Sequence, residues 1–243
     1  MAHPDDTEFL SAGTLALLKE KDWDIHIATM TPGDCGSAQL NRQQISEIRR
    51  KEAANSANLL NGTYHCLEYD DAFIMYDRET LLKVIRFLRL VKPAIVFAPS
   101  PIDYMADHEI TSKLVQMACF CVGIPNIDTG QDKPFEPVPY LYYADSIAAT
   151  DHFGKEIKPD IIVDISSAIE KKEQMLCCHD SQRKWLKAHH GIDQYIIAMK
   201  QFAKQRGQLA GVEFAEGFRQ HLGHAFPQEN ILKSELSELV HML

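Results

Sequence analysis

Stretches with strand character alternate with stretches of helical spacing along almost the whole chain, and this alternation restricts the fold more than any other feature. Residues 25–30, 63–68, 94–99, 139–147 and 160–165 read as strands. Residues 11–21, 42–61, 79–91 and 109–122 carry apolar residues at helical spacing. In 42–61 the stripe is Ala53, Ala57 and Leu60, and Gly62 stands as the stop. The run AIVFAP at 94–99 is apolar throughout, the mark of a strand covered on both faces. Ser167-x-x-Glu170 predicts a capping box opening a helix to about 178, and 193–206 and 229–242 read as further helices. The pattern predicts one α/β domain over residues 1–243, with helices layered on a largely parallel sheet. Ligand sites in such sheets lie at the carboxyl ends of strands. The loop 31–37, broken by Pro32, Gly33 and Gly36, and the turn 99–108 both follow strands.

Composition removes several classes of function. The 243 residues are 45% hydrophobic, enough for a sizeable core, and the formal net charge is −9. A nucleic-acid binder carries a basic stripe; the nearest thing here is Arg49-Arg50-Lys51, set among acidic neighbours in a helical pattern, so no nucleic-acid partner is expected. No apolar run approaches the roughly 20 residues needed to cross a bilayer, and no secretory leader is visible, so no membrane association is expected. Six cysteines (35, 66, 119, 121, 177 and 178) read as small buried hydrophobes of a reducing compartment, which predicts a cytoplasmic location. Cys177-Cys178-His179 lacks the second ligand pair of a zinc knuckle. The segment 123–137 predicts a long surface loop of the kind that carries specificity.

The chemistry is concentrated in two turns. His3-Pro4-Asp5-Asp6 offers one imidazole and two carboxylates, and His108 ends the loop that follows AIVFAP. His3 and Asp6, three apart in a turn stiffened by Pro4, can face one ion, leaving Asp5 free as a base. With His108 they would form a two-imidazole, one-carboxylate site with an open position, the composition of a hydrolytic zinc centre. Asp107 could brace either imidazole. The competing reading makes Asp5, Asp6 and Asp107 ordinary helix caps. The chain begins two residues before His3, so the strand from which such a turn usually hangs has no room. Either the sequence starts late, or the sheet lacks a member, or the turn is anchored otherwise. His189-His190 read as a helix end, and His221 and His224 as surface residues.

The motifs bear a specific resemblance. Ala2-His3-Pro4-Asp5-Asp6, followed by Glu8 and Gly13-Thr14-Leu15, resembles the opening of the PIG-L/LmbE-like zinc-dependent N-deacetylases. The likeness continues through Gly33-Asp34-Cys35-Gly36, Arg49-x-x-Glu52, the Asp103-to-His108 turn and His179-Asp180-Ser181-Gln182.

This resemblance implies a Rossmann-like three-layer α/β fold whose first strand lies just before the His-Pro-Asp-Asp motif and is missing here. It implies removal of an N-acetyl group from an N-acetylglucosamine-type or related amino-sugar conjugate. One zinc ion per chain would be held by His3, Asp6 and His108, another divalent metal being the alternative. Asp5 would be the general base and Arg49 a substrate-binding residue, and a homo-oligomer is expected. The chain departs from the pattern at Met105, where many members carry a histidine that helps stabilise the oxyanion. Met105 cannot donate a hydrogen bond. Tyr104, also a candidate substrate contact, and His179 are the replacement donors. That departure keeps open a metal-dependent hydrolase of another amide or an ester, and a binder of sugar conjugates without turnover.

Overall fold

A computed structural model describes residues 1–130, 132–147, 149–183 and 194–243. His189 and His190, read from the sequence as a helix end, lie outside the described residues. A short helix that was not expected, α1 (Asp6–Leu10), precedes the predicted helix 11–21, which is α2 (Ala12–Lys19); Ser11 separates the two. Strand β1 (His26–Thr29) is followed by α3 (Arg42–Asn58), opened by a capping box in which Asn41 and Gln44 satisfy each other's backbone. Strand β2 (Thr63–Cys66) leads to α4 (Arg78–Val91). The Asp77 side chain caps the start of α4, and Lys92, at φ 53°, ends it before Pro93. Then come β3 (Ile95–Ala98), α5 (Ala106–Cys121), β4 (Tyr140–Ala144) and β5 (Ile161–Asp164). The remaining elements are α6 (Ile169–Cys177), α7 (Gln194–Ala210), β6 (Ala215–Gln220), α8 (Ile231–Leu236), a 3-10 turn (Ser237–Leu239) and β7 (Val240–Met242).

Two cores lie on opposite faces of the sheet. Along β4, Tyr142 and Ala144 join a core with α1, α2, α6 and α7, while Leu141 and Tyr143 join another with α4 and α5. This alternation is what a strand buried between two helical layers must show.

The largely parallel sheet is corrected. β1–β2 and β3–β4 pair parallel, but β4–β6, β5–β6 and β5–β7 are antiparallel. The strand β6 was not predicted, because its sequence AEGFRQ carries charges that normally mark a loop. Glu216 is buried instead, accepting hydrogen bonds from Gly13 N (2.9 Å) and Thr14 N (2.7 Å) at the start of α2 and pairing with buried Lys172 at 2.5 Å. The predicted tail helix 229–242 is also corrected: the backbone turns over at Ser237 (φ 51°) and finishes as β7 on the edge of β5. No side-chain cap forms at the start of α6, where the capping box was expected; Ser166 bonds Asp164 and the Phe214 backbone instead.

The strands form two sheets, β1–β2 and β3–β4–β6–β5–β7. A cavity of about 540 Å³ separates them, lined by both β1 and β3 and by Leu15, Leu18, Val84 and Leu88. Met1 stands at one end of it. The Met1 amino group donates to Ala28 O (2.7 Å), Met30 N donates to Met1 O (3.1 Å) and Thr31 N to Ala2 O (3.0 Å). The first turn therefore hangs from β1 by a two-residue parallel stub. Among the described residues no helix is long and apolar enough to cross a membrane, and no disulfide joins the described cysteines to one another.

Candidate metal centre and active site

The turn 2–6 is closed by its own carboxylate. Asp6 Oδ2 accepts from Ala2 N (3.0 Å) and His3 N (2.8 Å), which folds the turn back and leaves Oδ1 facing the site. The second imidazole arrives on the first turn of α5. His108 Nε2 lies 3.4 Å from Asp6 Oδ1, and the His3 and His108 ring centroids are 5.3 Å apart. One ligand atom from each of His3, Asp6 and His108 lies within 4.8 Å of the others. All three residues are buried.

Each imidazole is braced on its far side. His3 Nε2 lies 3.0 Å from Asp107 Oδ2, and His108 Nδ1 lies 2.9 Å from Asp103 Oδ1. A carboxylate on one ring nitrogen fixes the ring and leaves the other nitrogen for an ion. Asp107 Oδ2 also accepts from Ala72 N at 2.7 Å, so the loop at 72 is tied to the same corner. This surplus of anionic charge raises both imidazoles. Burial favours the neutral imidazole, but Asp6 and Asp103 push His108 up to about 10. His3 is also raised, against burial, by Asp107 and Asp6. Burial would raise Asp6, yet His108 and His3 hold it far below the usual carboxylate range. Without an ion the pocket collects protons, and a divalent cation satisfies the same field.

Asp5 points away from this trio. Its backbone sits at φ 97°, a left-handed setting uncommon outside glycine, which turns its side chain from that of Asp6. Asp5 Oδ2 accepts from Tyr195 Oη (2.5 Å) and, more loosely, from Arg49 Nη2 (3.4 Å). Burial raises its carboxyl, while Arg49 and His179 pull the other way. Arg49 is itself buried and donates to Pro4 O (2.8 Å) and Gly33 O (3.4 Å). A Cβ on Gly33 would stand 2.4 Å from that guanidinium, which explains the glycine there. Arg49 Nε has no partner among the described residues.

The two candidate donors separate cleanly. Tyr104 is 63% exposed at the mouth, its ring edge-on to His108 at 5.7 Å. Burial first, then Asp6, Asp103 and Asp5, push its phenol up to about 12, so it stays a donor. His179 is wholly buried, 3.3 Å from Glu8 Oε1, and raised against burial by Glu8 and then Asp5. Met105 is the residue before α5 and makes no cap with its side chain.

Sequence reasoning missed Tyr195 and gave Asp103 no role. Asp103 could have been found as a carboxylate in the same turn as His108. Tyr195 lies 190 residues from Asp5, and no local pattern marks it. The Asp34, Cys35 and Asp71 side chains also cluster, but these carboxylates already accept from Asp71 N (2.8 Å) and Cys35 N (2.9 Å), and serve to shape the loop 31–37.

An α/β fold carrying a two-histidine, one-aspartate cluster, with a second carboxylate, Asp5, on the same turn, is the class these observations define. Residues 1–119 match the profile of the family described as PIG-L, GlcNAc-PI de-N-acetylase, and the resemblance read from the motifs holds. A diacetylchitobiose deacetylase of Thermococcus kodakarensis is 26% identical over 231 residues, 89% of this chain and 79% of its own length. A 4-oxalmesaconate hydratase of Pseudomonas putida is 26% identical over 189 residues, 74% of this chain and 71% of its own. The structure of N,N'-diacetylchitobiose deacetylase from Pyrococcus horikoshii, bound to an inhibitor, superposes with a TM-score of 0.78 at 27% identity. It covers 94% of this chain and 85% of that one.

Proposed function

We propose that this chain is a metal-dependent hydrolase that removes an N-acetyl group from an N-acetylglucosamine-type or related amino-sugar conjugate. The observation that carries the reading is the convergence of His3, Asp6 and His108, one ligand atom of each within 4.8 Å of the others, each imidazole braced by its own aspartate, with Asp5 on the same turn as His3 and Asp6. The deacetylase relatives support the substrate class. The donor set suits zinc, one ion per chain, though it does not select strongly against other divalent metals. The whole chain, 1–243, would act as one cytoplasmic domain on a Rossmann-like scaffold, as a homo-oligomer. The turn bearing His108 follows the carboxyl end of β3, and the turn bearing His3 and Asp6 lies beside the carboxyl end of β1, where Met30 N and Thr31 N donate to Met1 O and Ala2 O.

An ion held there acts as a Lewis acid and brings the pKa of a water toward about 7. Asp5 accepts the proton of the attacking water and later returns it to the leaving nitrogen. Tyr104 donates to the acyl oxygen as charge builds on it, in the role that Met105 cannot fill. Arg49 is assigned to substrate binding, and its guanidinium also holds the turn through Pro4 O and Gly33 O. His179 pairs with Glu8 Oε1 at 3.3 Å.

The hydratase relative favours a second reading, addition of water to an unsaturated acid, which would use the same ion and base. Acetate release from N-acetylglucosamine and N,N'-diacetylchitobiose, run beside hydration of 4-oxalmesaconate, separates the two. Metal near one equivalent per chain is expected, with deacetylation lowered about 100-fold or more by Asp5→Asn. Full activity in Asp5→Asn, or a zinc-supplied protein that binds no metal, overturns the proposal.

A further inference from the structure

We infer that Tyr195 is a positioning residue for the base: with Arg49 it pins Asp5 Oδ2, so that Oδ1 is the oxygen that takes the proton. The inference rests on the reading of Asp5 as base. It brings α7, which lies beyond the family match at 1–119, into the site.

The geometry is asymmetric. Both protein donors to the Asp5 carboxylate, Tyr195 Oη at 2.5 Å and Arg49 Nη2 at 3.4 Å, go to Oδ2. Among the described residues Oδ1 accepts no hydrogen bond. A carboxylate held by one oxygen keeps a fixed plane and presents the other. The holding group must itself be fixed, and the Tyr195 ring packs on Phe9 of α1 at 6.4 Å, so α7 is keyed to the helix that follows the Asp5 turn. The phenol stays protonated, since burial and then Asp5 raise it well above its ordinary value. The arrangement survives the chemistry. When Oδ1 has taken a proton, Oδ2 is the carbonyl oxygen of a neutral acid and still accepts from Tyr195. The acid therefore remains aimed until the proton leaves for the amine nitrogen. A base free to rotate loses that aim, and misplacement by about 1 Å can cost about 100-fold.

Tyr195→Phe keeps the ring against Phe9 and removes only the hydroxyl. The expected result is a kcat for N,N'-diacetylchitobiose lowered about 10- to 100-fold, with KM, bound metal per chain and melting temperature unchanged. A crystal structure of the variant should show the Asp5 carboxylate rotated or in two settings, where the parent shows one. A kcat within twofold of the parent with Asp5 unmoved overturns the inference. So does a fall in kcat matched by a fall in metal content or melting temperature, which makes Tyr195 merely structural. Asp5→Asn separates the levels. If it is inactive while Tyr195→Phe is normal, only the positioning role fails; if it is fully active, the base reading fails and this inference with it.

Discussion

At the scale of single residues, one side chain decides how fast the proposed site can run. The position before α5 is Met105, which offers no hydrogen, and Tyr104 sits next to it with an exposed phenol edge-on to His108. If Tyr104 is the donor, Tyr104→Phe removes one oxyanion contact and should lower kcat about 100- to 1000-fold with metal retained. Met105→His in that background should restore at least part of the rate. Steady-state kinetics on N,N'-diacetylchitobiose check both, and an undiminished Tyr104→Phe enzyme rejects the assignment. Much of this site was legible in the sequence, because His3, Asp5 and Asp6 share one turn and His108 ends another beside its own brace. What was illegible came from sequence distance. Tyr195 reaches Asp5 from α7, and His179 reaches Glu8 from beyond α6; no spacing rule links such positions. Arg49, expected to touch substrate, also contacts the chain itself, at Pro4, Gly33 and Asp5.

At the scale of elements, helices were read best, since an amphipathic stripe and a cap are local. Asp77, Lys92 and Pro93 bound α4 almost where the periodicity put it. The strand β6 was hidden because Glu216 is compensated by Lys172 and two backbone N–H groups that lie far away in sequence. Pairing of β1 with β2 has its own titratable feature. His26 Nδ1 and His65 Nε2 lie 2.9 Å apart, and the two rings stack at 5.2 Å. One of the two must stay neutral to accept. Partial burial, then His26, lower His65 below the ordinary histidine value of 6.5. Between 6.5 and that lower value the unfolded chain holds more protons than the folded one, so stability falls as the pH drops through this window. Above 6.5 the contribution is constant. Melting temperatures of the parent and His65→Gln, measured from pH 7.5 to pH 5, should fall less steeply in the variant. Equal slopes would show that the imidazole pair does not bear on the β1–β2 sheet.

At the scale of the whole molecule, β1 and β3 are not paired with one another among the described residues, and a cavity lies between them. The pairing fixes which backbone groups face the gap. Thr63 N donates to Ile25 O and Leu67 N to Thr29 O, so the odd-numbered residues of β1 face β2, and His26 and Ala28 face the cavity. Tyr140 N donates to Ala94 O, so Ala94, Val96 and Ala98 face β4, and Ile95 and Phe97 face the cavity. The stub formed by Met1 and Ala2 engages Ala28 O, Met30 N and Thr31 N from the other side. Among the described residues the remaining N–H groups on these two edges have no backbone partner, and they confront one another across the cavity. An amide without a ladder partner exchanges with solvent without waiting for the sheet to open. Hydrogen exchange followed by NMR should therefore alternate along both strands. His26, Ala28, Ile95 and Phe97 amides should exchange at least about tenfold faster than Ile27, Thr29, Val96 and Ala98. Uniform protection of both sets would mean that the edges are paired in solution. The two ligand turns would then be carried by one continuous sheet and not by two sheets meeting across a cavity.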